Sequence, residues 1–256
     1  MSFDVAATSY DRFMGRYSAK LAPAFCEFAG IRAGQRVLDV GCGPGALTAE
    51  LVRTVGPGAV SAVDPSEQFI SAARTRHPGV DVRLASAEEL PHAGGTFDVT
   101  CAQLVVHFLA DPVAGLVEMA RVTREAGHVV ACVWDFAGDR APISAFWQAV
   151  GELGHELEDE SGLPGARRGH LSELFASAEL DRVEEAELTI SVEHEDFDDW
   201  WSPFTLGVGP AGAYVRTLGE KELASVRDRC RQLLGEGAFK VTATAWAARG
   251  MPGRYP

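Results

Sequence analysis

The sequence has no long apolar run and no excess of basic residues, and each absence excludes a class of protein. No stretch approaches the roughly 18–20 continuous apolar residues of a membrane span. The first 20 residues mix aromatic and charged side chains and lack an apolar signal core, so we expect neither a membrane span nor export. With 36 acidic and 23 basic residues, the chain lacks the Lys and Arg excess that clamps phosphates, and we expect no nucleic-acid partner.

Cysteines are also few and scattered. The five of them lie at least 16 residues apart and form no C-x-x-C or Cys/His ligand spacing. This pattern indicates neither a zinc site nor a disulfide framework. We therefore expect five free thiols, no metal site and a reducing, cytoplasmic location.

The negative charge is confined to one part of the chain. Residues 152–200 hold 16 acidic and three basic side chains, and the remainder is balanced at 20 of each. One interpretation is a solvated surface whose carboxylates discourage edge-to-edge strand pairing. The other is the mouth of a pocket that repels anionic ligands, such as phosphorylated or coenzyme A-linked compounds.

In the first half of the chain, short apolar runs alternate with amphipathic segments. The runs are rich in Val and read RVLDVG (36–41), AVSAVD (59–64), VDVRLA (80–85), FDVTCAQ (97–103) and HVVACVW (128–134). Between them, apolar residues recur at helical spacing. The pair Asp111–Pro112 is typical of a helix start and predicts where the last of these helices begins. Gly127 is typical of a helix stop and predicts where this helix ends. The alternation predicts right-handed β-α-β units and a parallel sheet covered on both faces.

The second half has a different pattern. Residues 186–193 and 239–247 alternate between apolar and polar side chains, which predicts strands with one fully buried face, as in an antiparallel pair at a sheet edge. Between them, Thr217 and Glu220 form a T-x-x-E pattern that predicts the start of a helix. Two further stretches, beginning near residues 136 and 196, have loop-like order and predict insertions that form a cap over the sheet.

The most informative motif is the glycine-rich segment VLDVGCGPGA (37–46), which follows the first strand and leads into the first helix of the sheet. Glycines allow positive φ and let a ligand lie against the backbone, while the helix N-terminus offers free N–H donors. Gly41-x-Gly43-x-x-Ala46 also satisfies the dinucleotide fingerprint, with Asp64 as a carboxylate for ribose hydroxyls. A nicotinamide-dependent oxidoreductase is therefore one alternative.

Three features favour a different nucleoside ligand. Asp39 lies two residues before Gly41, where a carboxylate is unfavourable beside a pyrophosphate but suits a ligand that carries an ammonium group. No tyrosine has Lys four residues on, as short-chain dehydrogenases require. The alternating segments of the second half match a sheet that ends in an antiparallel pair.

The segments VLDVGCGPGALT, VSAVDPS, LASAEELP and FDVTCAQLVVHFL resemble the successive motifs of class I S-adenosylmethionine-dependent methyltransferases, over about residues 8–134. More narrowly, they resemble the ubiquinone/menaquinone-methyltransferase-like small-molecule branch. The resemblance implies a Rossmann-like three-layer α/β sandwich with a seven-stranded, mostly parallel sheet, order 3-2-1-4-5-7-6 with strand 7 antiparallel, and cap insertions. It also implies S-adenosylmethionine as cofactor, S-adenosylhomocysteine as product and a small-molecule methyl acceptor.

The resemblance also implies which residues bind the cofactor. They belong to the lid, the methionine-binding loop, the ribose site, the adenine site and the end of strand 4, and are Tyr17, with Tyr10 as the alternative lid residue; Asp39, Gly41, Cys42, Gly43 and Gly45; Asp64 and Pro65; Ser86, Ala87 and Glu88; and Gln103. Alternatively, the N-terminal segment is a helix that packs Phe13 and Tyr17 on the sheet. The family commonly has Asp where this chain has Ser86, whose hydroxyl accepts a hydrogen bond more weakly.

Methyl transfer from a sulfonium needs mainly proximity and alignment, and it needs a base only when the acceptor must lose a proton. His107, just after strand 4, is the candidate base; alternatively, it hydrogen-bonds the backbone or Asp111 and orders its loop. Asp135, after strand 5, is a second candidate at this edge, or a helix cap. Aromatic residues of the cap predict an apolar acceptor pocket beside Asp135, or alternatively the cap's own core, and include Trp147, Trp201, Phe204 and Tyr214.

We interpret the chain as one methyltransferase domain. Its predicted parts are lid helices (1–30), a cofactor-binding core (31–135), cap insertions (136–169 and 196–236), and the last helix and strands (170–195 and 237–250). The predicted function is methyl transfer to a small molecule by in-line displacement. A protein that binds S-adenosylmethionine without catalysis is a further alternative. A base methyltransferase acting on nucleic acid would carry [D/N/S]-P-P-[Y/F/W] after strand 4, where this chain reads CAQL. No pattern indicates an oligomeric state.

Overall fold

The strands and helices follow the predicted alternation. The computed structural model describes residues 7–154 and 159–253. Its strands are β1 (Val37–Val40), β2 (Val60–Asp64), β3 (Asp81–Leu84), β4 (Phe97–Gln103), β5 (Thr123–Trp134), β6 (Leu180–His194) and β7 (Phe239–Pro252). Its α-helices are α1 (Ala7–Tyr10), α2 (Arg16–Ala29), α3 (Ala46–Val55), α4 (Glu67–Arg76), α5 (Pro112–Val122), α6 (Ser144–Glu152), α7 (His170–Ser177), α8 (Phe197–Trp201), α9 (Gly209–Val215) and α10 (Glu220–Leu234).

These seven strands form one sheet in the order β3-β2-β1-β4-β5-β7-β6. Neighbours among β1 to β5 pair in parallel, whereas β7 is antiparallel to both β5 and β6. Val37 of β1 pairs with Val60 on one side and Val99 on the other, which makes β1 a central strand. The predicted fold class, with helices flanking a sheet of this order, is confirmed.

Burial follows the sequence patterns in β1 and β6, but the one buried face predicted for residues 239–247 is wrong: residues 243–248 of β7 are all buried, because β7 lies between β5 and β6. All four residues of β1 are buried, because a central parallel strand is covered on both faces. At the edge of the sheet, β6 buries only one set of alternate side chains, including Leu188 and Val192. Both late strands are longer than the alternating segments indicated, because β6 pairs with β7 from Leu180 to His194 with one register shift.

The predicted end of α5 at Gly127 is wrong. The helix starts as predicted, with the Asp111 carboxylate accepting from the Ala114 N–H at 2.9 Å. It ends at Val122, and β5 begins directly at Thr123. Gly127 lies inside β5 beside a register shift, where a Cβ would stand 2.5 Å from the Asp98 carbonyl oxygen. The glycine therefore marks a close backbone approach within the sheet.

The helix predicted at Thr217 begins slightly later, as α10. Gly219 is its N-cap, and the Glu222 carboxylate accepts from the Gly219 N–H at 2.8 Å. Thr217 instead donates its hydroxyl to the Tyr214 carbonyl at 2.7 Å. Val226 and Cys230, one helical turn apart on α10, are fully buried.

The segments predicted as a cap contain helices rather than loops alone. The described part of residues 136–169 includes α6, and residues 196–236 include α8, α9 and α10. Residues 155–158 of the first segment, and residues 1–6 of the predicted lid, lie outside the described residues. We keep the name cap for residues 136–169 and 196–236.

No helix in the described ranges, 7–154 and 159–253, combines the length and the apolar character needed to cross a membrane.

Candidate functional site

A cavity of about 590 Å³ lies at the carboxyl ends of the first parallel strands. Its walls come from the glycine loop (residues 41–45), from Asp64 at the end of β2, and from the segments that follow β3 and β4. Tyr10 adds a wall from the N-terminal helix, the name used here for α1, the π-helical turn Asp11–Gly15 and α2 together. Ligands collect at this edge of open α/β sheets because loops and helix N-termini converge there.

The glycine loop reverses direction through three left-handed glycines. Gly41, Gly43 and Gly45 have φ of +69°, +54° and +102°, values that other residues adopt at a cost. At Gly41 a Cβ would stand 2.5 Å from a methyl carbon of Val105. The loop is fixed to β2 because the Gly41 N–H donates to the Val63 carbonyl at 2.8 Å. Glycine is thus required here for both backbone angle and close packing.

Asp64 is a buried carboxylate of the cavity lining. Its carboxylate is 6% exposed and accepts from the Gly43 N–H at 2.9 Å and from the Ser66 N–H at 2.8 Å. Burial raises the pKa of Asp64, and these two backbone hydrogen bonds oppose the rise. Because each carboxylate oxygen accepts more than one hydrogen bond, Asp64 can still receive a pair of ligand hydroxyls.

The predicted adenine-site residues also line the cavity. Ser86, Ala87 and Glu88 follow β3, and Pro65 follows Asp64. The Glu88 carboxylate accepts from the Ala110 N–H at 3.1 Å. This bond ties the segment after β3 to the segment after β4, so that the two walls are held together.

The charge of the cavity is of one sign. Among the described residues that line it, Asp64, Glu67 and Glu88 are acidic and none is Lys, Arg or His. Such a wall attracts cationic groups and repels a pyrophosphate.

Three predicted loop residues lie behind the cavity rather than in its lining. Asp39 is 1% exposed and accepts from the Thr48 hydroxyl at 2.6 Å. Burial, with a smaller contribution from Asp64, raises the pKa of Asp39 to about 7. Cys42 is buried, and a Cβ at Gly45 would stand 2.3 Å from His77 Nε2. These residues support the loop from the protein interior.

Of the two predicted lid residues, Tyr10 lines the cavity and Tyr17 does not. The Tyr10 ring lines the cavity and packs edge-on against Phe69 of α4, with centroids 5.4 Å apart. Asp11 forms an ion pair with Arg76 at 2.5 Å, and Arg76 also donates to the Pro44 carbonyl of the glycine loop at 3.3 Å. Tyr17 lies outside the cavity lining, and its hydroxyl is 2.8 Å from His194 Nε2.

Gln103 ends β4 and His107 follows in the short turn Val106–Phe108; both are buried with unpaired polar atoms, and neither is among the residues that line the cavity. Gln103 Nε2 donates to the Ser18 carbonyl at 3.1 Å. Its Oε1 and His107 Nδ1 have no hydrogen-bond partner within residues 7–154 and 159–253. His107 packs against Phe108 and Phe136, and burial lowers its pKa to about 3. The imidazole is therefore neutral. The Asp111 carboxylate accepts from the Ala114 N–H of its own helix, α5, and not from His107.

Of the residues predicted to surround an acceptor pocket, the aromatic ones pack together in the cap and Asp135 lies directly before it. Asp135 accepts from the Gly138 N–H at 3.0 Å and from Arg140 Nε at 2.6 Å, so it orders its turn. The aromatic residues stack on one another: Phe204 lies 4.9 Å from Phe146 between ring centroids, and the same cluster contains Trp147, Trp201 and Tyr214. Their role as pocket walls stays a prediction.

The sequence patterns missed several lining residues. They lie in the first turn of α4 and in the segment between β4 and α5, and include Ser66, Phe69, Leu104, Val105, Phe108 and Leu109. Leu104 has φ of +62°, a strained value for a residue with a side chain. Its position directly after a buried strand, at the edge where ligands collect, is the signal that would have indicated this segment.

A sheet of this order is characteristic of the class I S-adenosylmethionine-dependent methyltransferases when a glycine loop follows β1 and an acidic residue that can accept ribose hydroxyls stands at the end of β2. The profile of a family described as "Methyltransferase domain" matches residues 38–131. An uncharacterized methyltransferase of Mycobacterium tuberculosis is 32% identical over 184 residues, which cover 72% of this chain and 70% of the relative. The chain belongs to this methyltransferase family.

Further relatives match over a shorter region. The ubiquinone/menaquinone biosynthesis C-methyltransferase UbiE of Bdellovibrio bacteriovorus is 35% identical over 46% of this chain and 51% of its own length. An uncharacterized methyltransferase of Schizosaccharomyces pombe is 32% identical over 48% of this chain. The chain spans about half the length of these two curated relatives, 51% and 49%. Among solved structures, the YcgJ protein of Bacillus subtilis shares the fold, with a TM-score of 0.59, 17% identity and coverage of 92% of this chain and 99% of that one.

Proposed function

We propose that the protein transfers a methyl group from S-adenosylmethionine to a small-molecule acceptor. The observation that carries this proposal is the buried carboxylate of Asp64, which lines an acid-walled cavity beside the glycine loop. When bound there, the cofactor supplies a methyl group on a positively charged sulfur that an acceptor atom displaces in line. The residues present fit such a ligand, since it carries cationic groups and a ribose with two hydroxyls.

The protein's own residues would bind and orient the cofactor. Asp64 would accept the ribose hydroxyls, and Ser86, Ala87 and Glu88 would contact the adenine. Gly41 and Gly43 would let the ligand lie against the backbone, while Asp39, Cys42 and Gly45 would hold the loop from behind. Tyr10 would act as the lid residue in place of Tyr17. Gln103, whose Oε1 is buried without a partner among the described residues, would face the methionine end.

The charge of the cavity supports S-adenosylmethionine over a nicotinamide dinucleotide. A dinucleotide carries two phosphate charges, which require N–H donors and usually basic side chains. Three carboxylates and no basic side chain are found in the described lining. An oxidoreductase is therefore the weaker alternative.

For the acceptor, we propose a small, uncharged molecule. His107 and Gln103 offer neutral hydrogen-bonding atoms at and just after the end of β4, with no charge to pair. The biosynthetic role in the name of the UbiE relative supports an acceptor of metabolite size rather than a nucleic acid. We also propose a cytoplasmic location, consistent with five buried free thiols.

Thermal unfolding with separate ligands tests the cofactor. S-adenosylmethionine or S-adenosylhomocysteine at about 100 times its Kd should add about 2.7 kcal/mol to the free energy of unfolding, which corresponds to a Tm increase of about 5–10 °C for a domain of this size. NAD under the same conditions should leave Tm unchanged. Stabilisation by NAD alone would contradict the proposal, and binding without transfer to any metabolite would indicate a non-catalytic binder.

We propose His107 as a residue that orients the acceptor through a hydrogen bond, since a pKa lowered to about 3 makes its imidazole too weak a base to take the acceptor's proton near neutral pH. His107→Ala should lower kcat about 100-fold and change the Kd for S-adenosylmethionine less than twofold. Because the pKa of His107 is lowered to about 3, its imidazole should give no inflection in the pH profile of kcat between about pH 5 and 8. Transfer of radiolabelled methyl groups to a metabolite extract identifies an acceptor for this measurement.

His92→Ala is the matched control for His107, since His92 also has a buried nitrogen without a partner in the described chain but packs on Phe97, at the start of β4, whereas His107 follows the end of that strand. It should retain kcat. Equal kcat for wild type and the His107→Ala protein would show that His107 only orders its segment.

A further inference from the structure

Four side chains join the N-terminal helix to the end of β6 and to the cap. His194 Nε2 lies 2.8 Å from the Tyr17 hydroxyl, and His194 Nδ1 lies 2.9 Å from Asp199 Oδ2. Arg16 binds both oxygens of Asp199, at 2.8 and 2.9 Å, and its NH1 also lies 2.8 Å from His194 Nδ1. We call Arg16, Tyr17, His194 and Asp199 the helix–cap cluster.

The cluster is built into the interior and does not depend on a single surface ion pair. His194 and Tyr17 are 2% and 3% exposed, and the His194 ring stacks on Phe239 of β7. One residue along the N-terminal helix from Tyr17, the Ser18 carbonyl receives the Gln103 hydrogen bond. Phe13 of the same helix packs on Phe204 of the cap, with centroids 5.0 Å apart.

The same helix also forms part of the cavity. Tyr10 lines the cavity seven residues before Tyr17, and its hydroxyl lies 3.5 Å from Ser18 Oγ. Asp11 is bound to Arg76, which contacts the glycine loop. Since Tyr10 to Ala29 is continuous helix, a shift at Arg16 and Tyr17 moves Tyr10 as well.

We propose that the helix–cap cluster positions the N-terminal helix over the cavity, so that cofactor affinity depends on His194 and Asp199, residues of β6 and the cap that lie outside the cavity lining. This inference rests on the proposed function for its ligand. His194 is a positioning residue in it, acting through Tyr17 and Tyr10.

Neutral His194 cannot satisfy both contacts at Nδ1. If Nδ1 carries the proton, its N–H donates to Asp199 but cannot accept from Arg16. If Nδ1 carries a lone pair, it accepts from Arg16 but cannot donate to Asp199. Protonation supplies the N–H and adds a positive charge beside Arg16. Further charged groups in this region are Arg12, which lines a small cleft together with Arg16 and His194; Glu195, whose charge acts on Arg16; and Glu193, paired with Lys240 of β7 at 2.9 Å.

The sign of the pH effect follows from burial. Burial, together with Arg16, lowers the pKa of His194, although Asp199 opposes this. The closed helix therefore favours the neutral form of His194, whereas in an open helix the pKa of His194 would return towards its ordinary value of about 6.5. The closed arrangement is stable above that value and is lost as pH falls below it. Cofactor affinity should weaken by about threefold between pH 7.5 and 5.5.

Two adjacent carboxylates of α8 give a matched pair of variants. Asp199 binds Arg16 of the N-terminal helix, and Asp198 binds Arg227 of α10 at 2.7 Å. Asp199→Asn should raise the Kd for S-adenosylmethionine about fivefold, and Tyr17→Phe should act in the same direction. Asp198→Asn should leave Kd unchanged. Hydrogen exchange of residues 7–15, measured without ligand, should be faster in the first two proteins only.

His194→Gln tests the hydrogen bond to Tyr17 separately from the protonation of His194, because the Gln amide can still reach Tyr17 but does not titrate. It should bind with near wild-type affinity at pH 7.5 and lose the pH dependence that His194 contributes. Asp39 and Asp64, whose pKa values are raised by burial, remain in both proteins, so the difference between the two pH curves reports on His194.

The outcomes separate the two proposals. If wild type fails to bind S-adenosylmethionine, the proposed function is wrong, and hydrogen exchange alone decides whether the cluster positions the helix. If wild type binds but Asp199→Asn matches Asp198→Asn in both Kd and exchange, the cluster has no positioning role. An unchanged pH curve in His194→Gln would assign the pH dependence to the cavity carboxylates.

Discussion

Replacement of Asp64 by Ala should weaken S-adenosylmethionine binding by about 100-fold or more. The carboxylate would be the acceptor for two ribose hydroxyls, and each hydrogen bond to a charged group contributes about 1.5–3 kcal/mol. Loss of both therefore exceeds the roughly 1.4 kcal/mol that corresponds to a tenfold change in Kd. Isothermal titration with S-adenosylmethionine and S-adenosylhomocysteine measures this loss.

Asp64 also accepts hydrogen bonds from Gly43 and Ser66, so the Asp64→Ala protein should unfold at a somewhat lower temperature without ligand. Asp81→Ala provides the control, because Asp81 on neighbouring β3 is exposed and pairs with Arg83. It removes a carboxylate from the adjacent strand without touching the cavity. Equal affinity of Asp64→Ala and wild type would refute the ribose assignment.

Gly41→Ala should have the next largest effect. At φ of +69° an L-residue costs about 1–2 kcal/mol. The added Cβ would also stand 2.5 Å from Val105, and such overpacking costs about 1–3 kcal/mol. We expect the free energy of unfolding to fall by about 2–5 kcal/mol, with loss of cofactor binding because Gly41 and Val105 both line the cavity. Urea unfolding and titration measure the two effects.

Two further variants separate strain from collision. Gly34 has φ of +88°, and no atom lies within 4 Å of the place where its Cβ would stand, so Gly34→Ala should show the strain alone. Combining Gly41→Ala with Val105→Ala should recover the part of the lost stability that the collision causes. If Gly41→Ala is no more destabilising than Gly34→Ala, the close packing of the loop on Val105 is unimportant.

Much of the architecture could be predicted because its causes are local. Val-rich runs buried on both faces indicate parallel strands, and alternation indicates the antiparallel pair β6 and β7, of which β6 is the edge strand. The errors also have local causes. Residues 122–126, VTREA, contain no Gly or Pro, so the pattern offers no reason to end α5 at Val122, and the first later glycine is the nearest stop signal.

The candidate site was predictable where the backbone itself defines it. The glycines and Asp64 meet because β1 and β2 are neighbours and both end at the same edge. The sequence offers both Tyr10 and Tyr17 as lid candidates, since both lie on one helix, and only the tertiary structure shows that the Tyr10 ring lines the cavity. The same holds for the cap aromatics, whose spacing is compatible with a pocket wall or a core.

The sequence by itself determined the class of fold, the strand alternation and the position of the glycine loop, because burial period and glycine φ act between residues close in the chain. The tertiary structure alone decided that Arg16 and Asp199, 183 residues apart, share an ion pair, and that His194 meets Tyr17. Such contacts depend on how β6, the cap and the N-terminal helix pack on the finished sheet. The acidic segment 152–200 shows both effects: its charge is visible in the sequence, and the pairing of its Asp199 with the N-terminal helix is set by packing.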